Sequence, residues 1–122
     1  MASTYAQRKA LGQYGEDIAV DYLVAEGMEI IERNYRCPHG EIDVVARDAG
    51  TLVVCEVKTR RGLRYGSPLE SITHQKAQRL RRLLGYWLEH HDVAHVGVRI
   101  DVVGIVVPAR GRAQVERVQG VS

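Results

Sequence analysis

The stretch that most constrains the fold is residues 40–58, where two runs rich in β-branched residues flank a turn signal. Each run alternates in side-chain character with a period of two, which is typical of a β-strand. Residues 48–50, Asp-Ala-Gly, predict a tight turn between the runs. We therefore expect an antiparallel hairpin whose loop is Ala49 and Gly50.

The register of this hairpin decides which side chains face each other across the two strands. With a loop at positions 49 and 50, the residue numbers of each facing pair add up to 99. Asp43 is then opposite Glu56, and Glu41 is opposite Lys58. Directly opposed side chains lie ~5 Å apart at Cβ, so the two acids repel each other unless positive charge lies between them.

The two faces of the predicted hairpin differ in character, because successive side chains of a strand point to opposite sides. One face is wholly apolar and is expected to be core; it consists of Ile42, Val44, Ala46, Val53, Cys55 and Val57. The other face carries the charged residues; it consists of Glu41, Asp43, Val45, Val54, Glu56 and Lys58.

Two interpretations of the charged face stay open on the residues alone. It is either a solvated sheet face, with Lys58 paired to Glu41 and Glu56, or a divalent-cation site. Hard ions such as Mg²⁺ are bound by one or two carboxylates together with water and substrate phosphate. In a cation site the neighbouring lysine would orient water or offset charge on a phosphoryl group.

The length and composition of the chain predict one domain spanning residues 1–122, with a core at about 9–107. No stretch approaches the ~20 apolar residues of a membrane span, and residues 1–5 lack an apolar leader, so we expect a cytoplasmic protein with no membrane partner. Two cysteines are too few for a disulfide framework. Cys37-Pro38-His39 lacks a second pair at zinc-ligand spacing, so zinc is disfavoured.

Charge is distributed unevenly along the chain, although the net charge is only +2. Residues 58–82 contain eight basic side chains and one acid, whereas residues 1–57 contain five basic and ten acidic side chains. A basic block after an acidic hairpin suits a phosphodiester substrate. The alternative is a solubilising, arginine-rich helix face.

Residues 8–26 are predicted to form an amphipathic helix, because apolar residues recur at spacings of three and four. The expected apolar stripe is Leu11, Tyr14, Ile18, Tyr22 and Ala25. Glu16 lies at the edge of a buried row with Ala19 and Leu23. It is either a boundary residue whose head reaches solvent or, if the helix packs across the sheet, a third carboxylate near Asp43 and Glu56.

The other predicted elements are strands at 28–35, 96–107 and 113–118, a basic loop at 60–67 and a helix at 73–90. The resulting order αβββαβ(β) predicts an α/β fold with a mixed central sheet flanked by helices. The crossover helix allows the strand at 96–107 to run parallel to its neighbour.

Arg99 and Asp101 are interpreted as a structural pair. The candidate phosphate contacts are Arg60, Arg61 and Arg64 of the loop and Lys76, Arg79 and Arg82 of the helix.

The acids and the lysine together resemble a known nuclease superfamily. Asp43, the Glu56-Val57-Lys58 motif and a preceding helical Glu16 are similar to the PD-(D/E)xK signature, and to archaeal Holliday junction resolvases in particular. Ile42 stands where the superfamily's name has proline, a residue that carries no chemistry. The chain also resembles the bacterial YraN-like family through Gly15-Glu16, Asn34-Tyr35-Arg36, Gly40-Glu41-Ile42-Asp43, Glu56-Val57-Lys58-Thr59-Arg60, Lys76 and Arg99-Ile100-Asp101-Val102.

This resemblance implies a restriction-endonuclease-like fold and a Mg²⁺- or Mn²⁺-dependent endonuclease acting on DNA rather than RNA, with branched DNA as a candidate substrate. It implies that Glu16, Asp43 and Glu56 coordinate the metal and that Lys58 is the catalytic lysine, with Glu41 as a reserve ligand. Resolvase-like relatives act as dimers, so a homodimer is expected by the same resemblance. The alternative from another class is a nucleic-acid-binding or scaffold protein that keeps the nuclease fold without turnover.

Overall fold

The computed structural model describes residues 4–62 and 66–121. The elements follow the predicted order, with bounds shifted by a few residues: α1 Tyr5–Ala25, β1 Glu29–Cys37, β2 Gly40–Asp48, β3 Thr51–Arg61, a short 3₁₀ helix Pro68–Ser71, α2 His74–His90, β4 Gly97–Val107 and β5 Gln114–Val118. Thr4 caps α1 and Thr73 caps α2, each through a side-chain oxygen that accepts a backbone N–H of the first turn.

The five strands form one mixed sheet in the order β1-β2-β3-β4-β5. β3 and β4 are parallel, and the other neighbouring pairs are antiparallel. α2 makes the crossover between the two parallel strands, as predicted. The turn between β2 and β3 is also as predicted: Asp48 pairs with Thr51, and the two loop residues, Ala49 and Gly50, have φ values of 48° and 88°. Positive φ at both loop residues is the type I′ geometry that suits a two-residue hairpin.

The helices cover opposite faces of the sheet, and each face has its own core. The α1-side cluster consists of Ala19, Leu23, Met28, Val44, Ala46, Cys55, Val103 and Ile105. The α2-side cluster consists of Ile42, Val45, Leu52, Val54, Leu80, Leu83, Leu84, Trp87 and Ile100. The prediction that only one hairpin face is core is therefore wrong: Val45 and Val54 are buried beneath α2. Ile42, which was expected beside Val44, packs in the other cluster, so the alternation breaks near Asp43.

α1 turns a different stripe toward the sheet from the one expected. Its buried residues are Gly15, Glu16, Ala19 and Leu23, whereas Tyr14 is about half exposed. A Cβ atom at Gly15 would overlap the Thr59 side chain of β3. The absence of a side chain at this position therefore lets the helix backbone approach β3 closely, which fixes where Glu16 lies.

The predicted pairing of Arg99 with Asp101 is confirmed. Nε of Arg99 is 2.8 Å from Oδ1 of Asp101, whose side chain is fully buried. Asp101 also accepts hydrogen bonds from Arg117 and from the backbone N–H of Gly120, so it ties β4 to β5 and to the chain end. No helix among residues 4–62 and 66–121 combines the length and apolar character needed to cross a bilayer.

Candidate functional site

Asp43 lies at the point where β2 and β3 stop pairing. The ladder between these strands ends with Val44 opposite Cys55, while β3 continues beside β4 as far as Arg61. Oδ2 of Asp43 accepts the backbone N–H of Val57 at 2.8 Å. The Asp43 carboxylate thus replaces a strand neighbour and is anchored directly to β3.

Glu56 and Lys58 flank Val57 on β3 and share one side of the strand. Their side chains project to the same side because they are two residues apart in a strand. Nζ of Lys58 is 3.3 Å from Oε1 of Glu56, and the two side chains are 35% and 11% exposed, respectively. A nearly buried carboxylate is therefore paired with a lysine whose side chain is about one-third exposed.

Glu16 is brought toward the sheet by the close packing of α1 on β3, and its carboxylate is held by two residues of β1. Oε1 of Glu16 accepts hydrogen bonds from Nε of Arg33 at 3.1 Å and from Nδ2 of Asn34 at 3.0 Å. Arg33 also contacts the exposed Asp17, at 2.6 Å. Asn34 has a φ of 55°, an uncommon left-handed conformation outside glycine, and its amide reaches the helix from there. The two donors fix the direction of the Glu16 carboxylate.

Asp43 is the carboxylic acid whose protonation the site changes most clearly. Burial raises its pKa from 3.8 to about 6, although the hydrogen bond from Val57 acts in the opposite direction. The negative charges of Glu56, Glu16 and Glu41 raise this pKa further, in that order of size. The charges of these three acids therefore reach Asp43 and disfavour its ionisation.

Two details of the predicted hairpin pairing are wrong. The ladder ends one pair before Asp43 and Glu56, and Glu41 is not opposite Lys58 but pairs in register with Arg36 of β1. Oε1 of Glu41 lies 3.8 Å from Nε of that arginine, so the reserve ligand is turned toward the β1 edge. Both differences follow from the divergence of β2 and β3 at Asp43, which a uniform register does not anticipate.

The acidic side chains of this site supply the hard oxygen donors that Mg²⁺ and Mn²⁺ prefer. Carboxylate oxygens are the appropriate ligands for such hard ions. Among residues 4–62 and 66–121, no three Asp, Glu, His or Cys side chains are grouped closely enough to hold a metal ion. Glu16 instead contacts Arg33, and Glu56 contacts Lys58. The chemistry of the donors fits the metal, and cations of the protein itself occupy two of the three carboxylates.

The predicted phosphate contacts lie in two places. Arg60 and Arg61 end β3, just beyond Lys58, and Arg61 is exposed. On α2, Lys76 lies in the first turn, where its backbone N–H is bonded to the capping Thr73. Arg79 and Arg82 are exposed on the same helix and line a cleft of about 490 Å³. Arg64 lies outside the described residues.

Sequence reasoning gave no structural role to three residues that matter for the site, although Gly15 and Asn34 stand in the motifs of the family resemblance. Gly15 sets the approach of α1, and Arg33 and Asn34 hold Glu16. Helical periodicity does not reveal that a glycine lies at a contact between a helix and a strand. A strand pattern likewise does not show that Arg33 and Asn34 reach Glu16, which lies seventeen and eighteen positions earlier in the sequence. An asparagine in a strand, a residue that tolerates left-handed φ, was the one available hint.

The fold and the site together define an α/β protein with one mixed sheet and an acid–acid–lysine cluster where two strands diverge. The chain belongs to the Uncharacterised protein family UPF0102, whose family model matches residues 15–105. This confirms the YraN-like assignment at the level of the family.

Relatives in this family match nearly the whole chain. A UPF0102 protein of Kineococcus radiotolerans is 56% identical over 116 residues, covering 94% of this chain and 95% of the relative. A UPF0102 protein of a Nocardioides species is 53% identical and covers 95% and 94%. One from Streptomyces coelicolor is 51% identical and covers 94% and 90%.

Proposed function

We propose that this protein is a divalent-metal-dependent endonuclease that hydrolyses phosphodiester bonds of DNA, with branched DNA such as a four-way junction as its substrate. The proposal includes a restriction-endonuclease-like arrangement of the mixed sheet and a homodimer, because a four-way junction presents two equivalent strands to cut. The observation that carries the proposal is the Asp43 carboxylate, which the Val57 N–H anchors to the strand that bears Glu56 and Lys58 and which lies within electrostatic reach of Glu16.

The chemistry follows from the roles these side chains can take. Asp43, Glu56 and Glu16 would hold Mg²⁺ or Mn²⁺, which when bound polarises a phosphoryl oxygen and activates water. Lys58 is next to Glu56 and reaches solvent, so its ammonium group can orient the attacking water and offset charge on the phosphate oxygens. Asp43 must lose its proton to act as a ligand, and a pKa of about 6 leaves it largely ionised at neutral pH.

Substrate binding is assigned to the basic residues on either side of this cluster. Arg60, Arg61 and Arg64 follow Lys58 in the sequence, and Lys76, Arg79 and Arg82 lie on α2. Such side chains neutralise backbone phosphates and position the strand without reading bases.

A second candidate function has its own support. Arg33 and Lys58 already neutralise Glu16 and Glu56, as they would in a nucleic-acid-binding protein that keeps the architecture without turnover. Such a protein would bind DNA with steep salt dependence and would need no divalent ion.

Cleavage assays distinguish the two candidates. Labelled four-way junctions, flaps and single strands are incubated with Mg²⁺, with Mn²⁺ and with EDTA, using wild type, Glu56→Gln and Lys58→Ala. The nuclease proposal predicts metal-dependent cutting that falls by at least about 100-fold in both variants while DNA binding is kept. Binding without cutting in either metal would refute the nuclease and favour the second candidate.

A further inference from the structure

A cleft of about 490 Å³ lies between α2 and the turn that joins β1 to β2. Its walls include Arg79, Arg82, Tyr86 and Glu89 of the helix and His39 of the turn. The four helical residues are spaced three, four and three apart, so they lie along one face of α2. This face spans about 15 Å from first to last at 1.5 Å per residue.

Charge changes sign along this face. Arg79 and Arg82 form its basic end, and within residues 4–62 and 66–121 no carboxylate lies at ion-pair distance from either guanidinium. Glu89 forms the acidic end, about two helical turns beyond Arg82. The two ends therefore present opposite charges to anything that enters the cleft.

Aromatic rings occupy the middle of the cleft. The rings of Tyr86 and His39 meet edge to face, with centroids 5.1 Å apart. His90 stacks on Tyr86 at 4.3 Å, which supports the tyrosine from the side of the helix C-terminus. The order along the cleft is thus cation, aromatic ring and carboxylate.

We propose that this cleft binds one unpaired nucleotide of a DNA strand. The guanidiniums of Arg79 and Arg82 hold its phosphate, Tyr86 and His39 contact the base, and Glu89 accepts a hydrogen bond from an exocyclic amino group. Thymine has no such amino group, whereas cytosine does. The cleft therefore favours cytosine over thymine.

The cleft lies close to the acid–lysine cluster, which gives the inference a consequence for substrate choice. His39 precedes Asp43 by four residues of extended chain, about 13 Å at 3.3–3.4 Å per residue. That distance is about four base-pair steps of 3.4 Å. This step rests on the proposed nuclease function: a nucleotide held here lies a few positions from the bond that is cut, so substrates with unpaired nucleotides beside a duplex are preferred.

The test measures binding alone, in EDTA, by fluorescence anisotropy with short labelled oligodeoxycytidine and oligothymidine strands at fixed salt. Arg82→Ala and Arg81→Ala form a matched pair, because each removes one positive charge from an exposed position of α2 but only Arg82 lines the cleft. Gly85→Leu adds an apolar side chain to the cleft wall at a position where a Cβ atom meets no atom within 4 Å. Circular dichroism confirms that each variant is folded.

We expect oligodeoxycytidine affinity to fall about tenfold in Tyr86→Ala, Gly85→Leu and Arg82→Ala, and about twofold or less in Arg81→Ala. Glu89→Gln should remove the preference for cytosine over thymine. Equal losses in the two arginine variants, or unchanged binding in Gly85→Leu, would overturn the inference. Because no metal is present, these binding results do not depend on cleavage. If the protein does not cut DNA but the cleft variants lose affinity, only the nuclease proposal fails. If the protein cuts DNA but the cleft variants bind normally, only the cleft inference fails.

Discussion

Replacing Asp43 by asparagine should stabilise the protein at neutral pH while removing its proposed function. Asparagine has nearly the same shape, and its side-chain oxygen can still accept the N–H of Val57. The substitution removes only a negative charge that is half-buried and surrounded by Glu56, Glu16 and Glu41.

The magnitude follows from the raised pKa of Asp43. A rise from 3.8 to about 6 is about two pKa units, and each unit corresponds to about 1.4 kcal/mol. This rise already contains the opposing effect of the Val57 hydrogen bond. Solvent screening of a half-buried group reduces the resulting 3 kcal/mol, and we expect Asp43→Asn to raise the free energy of unfolding by about 1–2 kcal/mol. For a domain of this size that is a Tm increase of about 4–8 °C.

The stability difference between wild type and Asp43→Asn depends on pH. Asp43 binds its proton more tightly in the folded than in the unfolded state, so its ionisation costs stability as pH rises from about 4 to about 6. Above pH 7 the wild type carries the full cost. Well below pH 4 the residue is protonated in both states and the cost vanishes, and at pH 4 only a small part of it remains.

Thermal unfolding of wild type and Asp43→Asn at pH 4 and at pH 8, in EDTA, measures this difference. The variant should be more stable than wild type at pH 8, and most of this difference should be lost at pH 4. Adding Mg²⁺ at pH 8 should raise the Tm of wild type by mass action but leave the variant unchanged. A variant that is less stable than wild type at pH 8, or equally more stable at both pH values, would refute the reasoning.

Three further predictions concern the groups that support the site. Gly15→Ala should lower the free energy of unfolding, measured by urea denaturation, by about 1–3 kcal/mol because the helix can no longer approach β3. Gly12→Ala is the control: its added Cβ atom meets no other atom, so it should be neutral or stabilising. Asn34→Gly should keep a near-wild-type Tm, since glycine accepts the positive φ of this position. It should lower metal-dependent cleavage about tenfold, because the Glu16 carboxylate loses one of its hydrogen-bond donors. Arg99→Ala should cost about 2–3 kcal/mol of stability because it removes one of the cations that neutralise the buried Asp101; a loss below 0.5 kcal/mol would contradict this account.

Much of the fold was predictable because its strongest signals are local. The turn after Asp48 fixed the hairpin register, since only a loop that accepts positive φ at Ala49 and Gly50 closes it in two residues. The near-continuous apolar run of β4 indicated a strand buried on both faces, and seven of its consecutive residues, positions 100–106, are indeed buried. These signals lie within a few residues of the structure that they specify.

The remaining features depend on contacts between distant segments. The alternation of the hairpin did not reveal that α2 covers Val45 and Val54, because two valines among charged residues look like an ordinary solvent-exposed face. The Asp43, Glu56 and Lys58 set was found by its chemistry and comes together in the structure at the end of the β2–β3 ladder. The contacts that hold Glu16 were not found, because they join a helix to a strand whose relative position no local pattern gives.

The most direct test of the account is where a divalent ion binds in a crystal. Crystals soaked in Mn²⁺ are measured at a wavelength where the anomalous signal of manganese locates the ion. The account predicts a peak between the carboxylates of Asp43 and Glu56, and its loss in Asp43→Asn crystals. A well-soaked crystal with no ion there, or with manganese bound only elsewhere on the molecule, would contradict it.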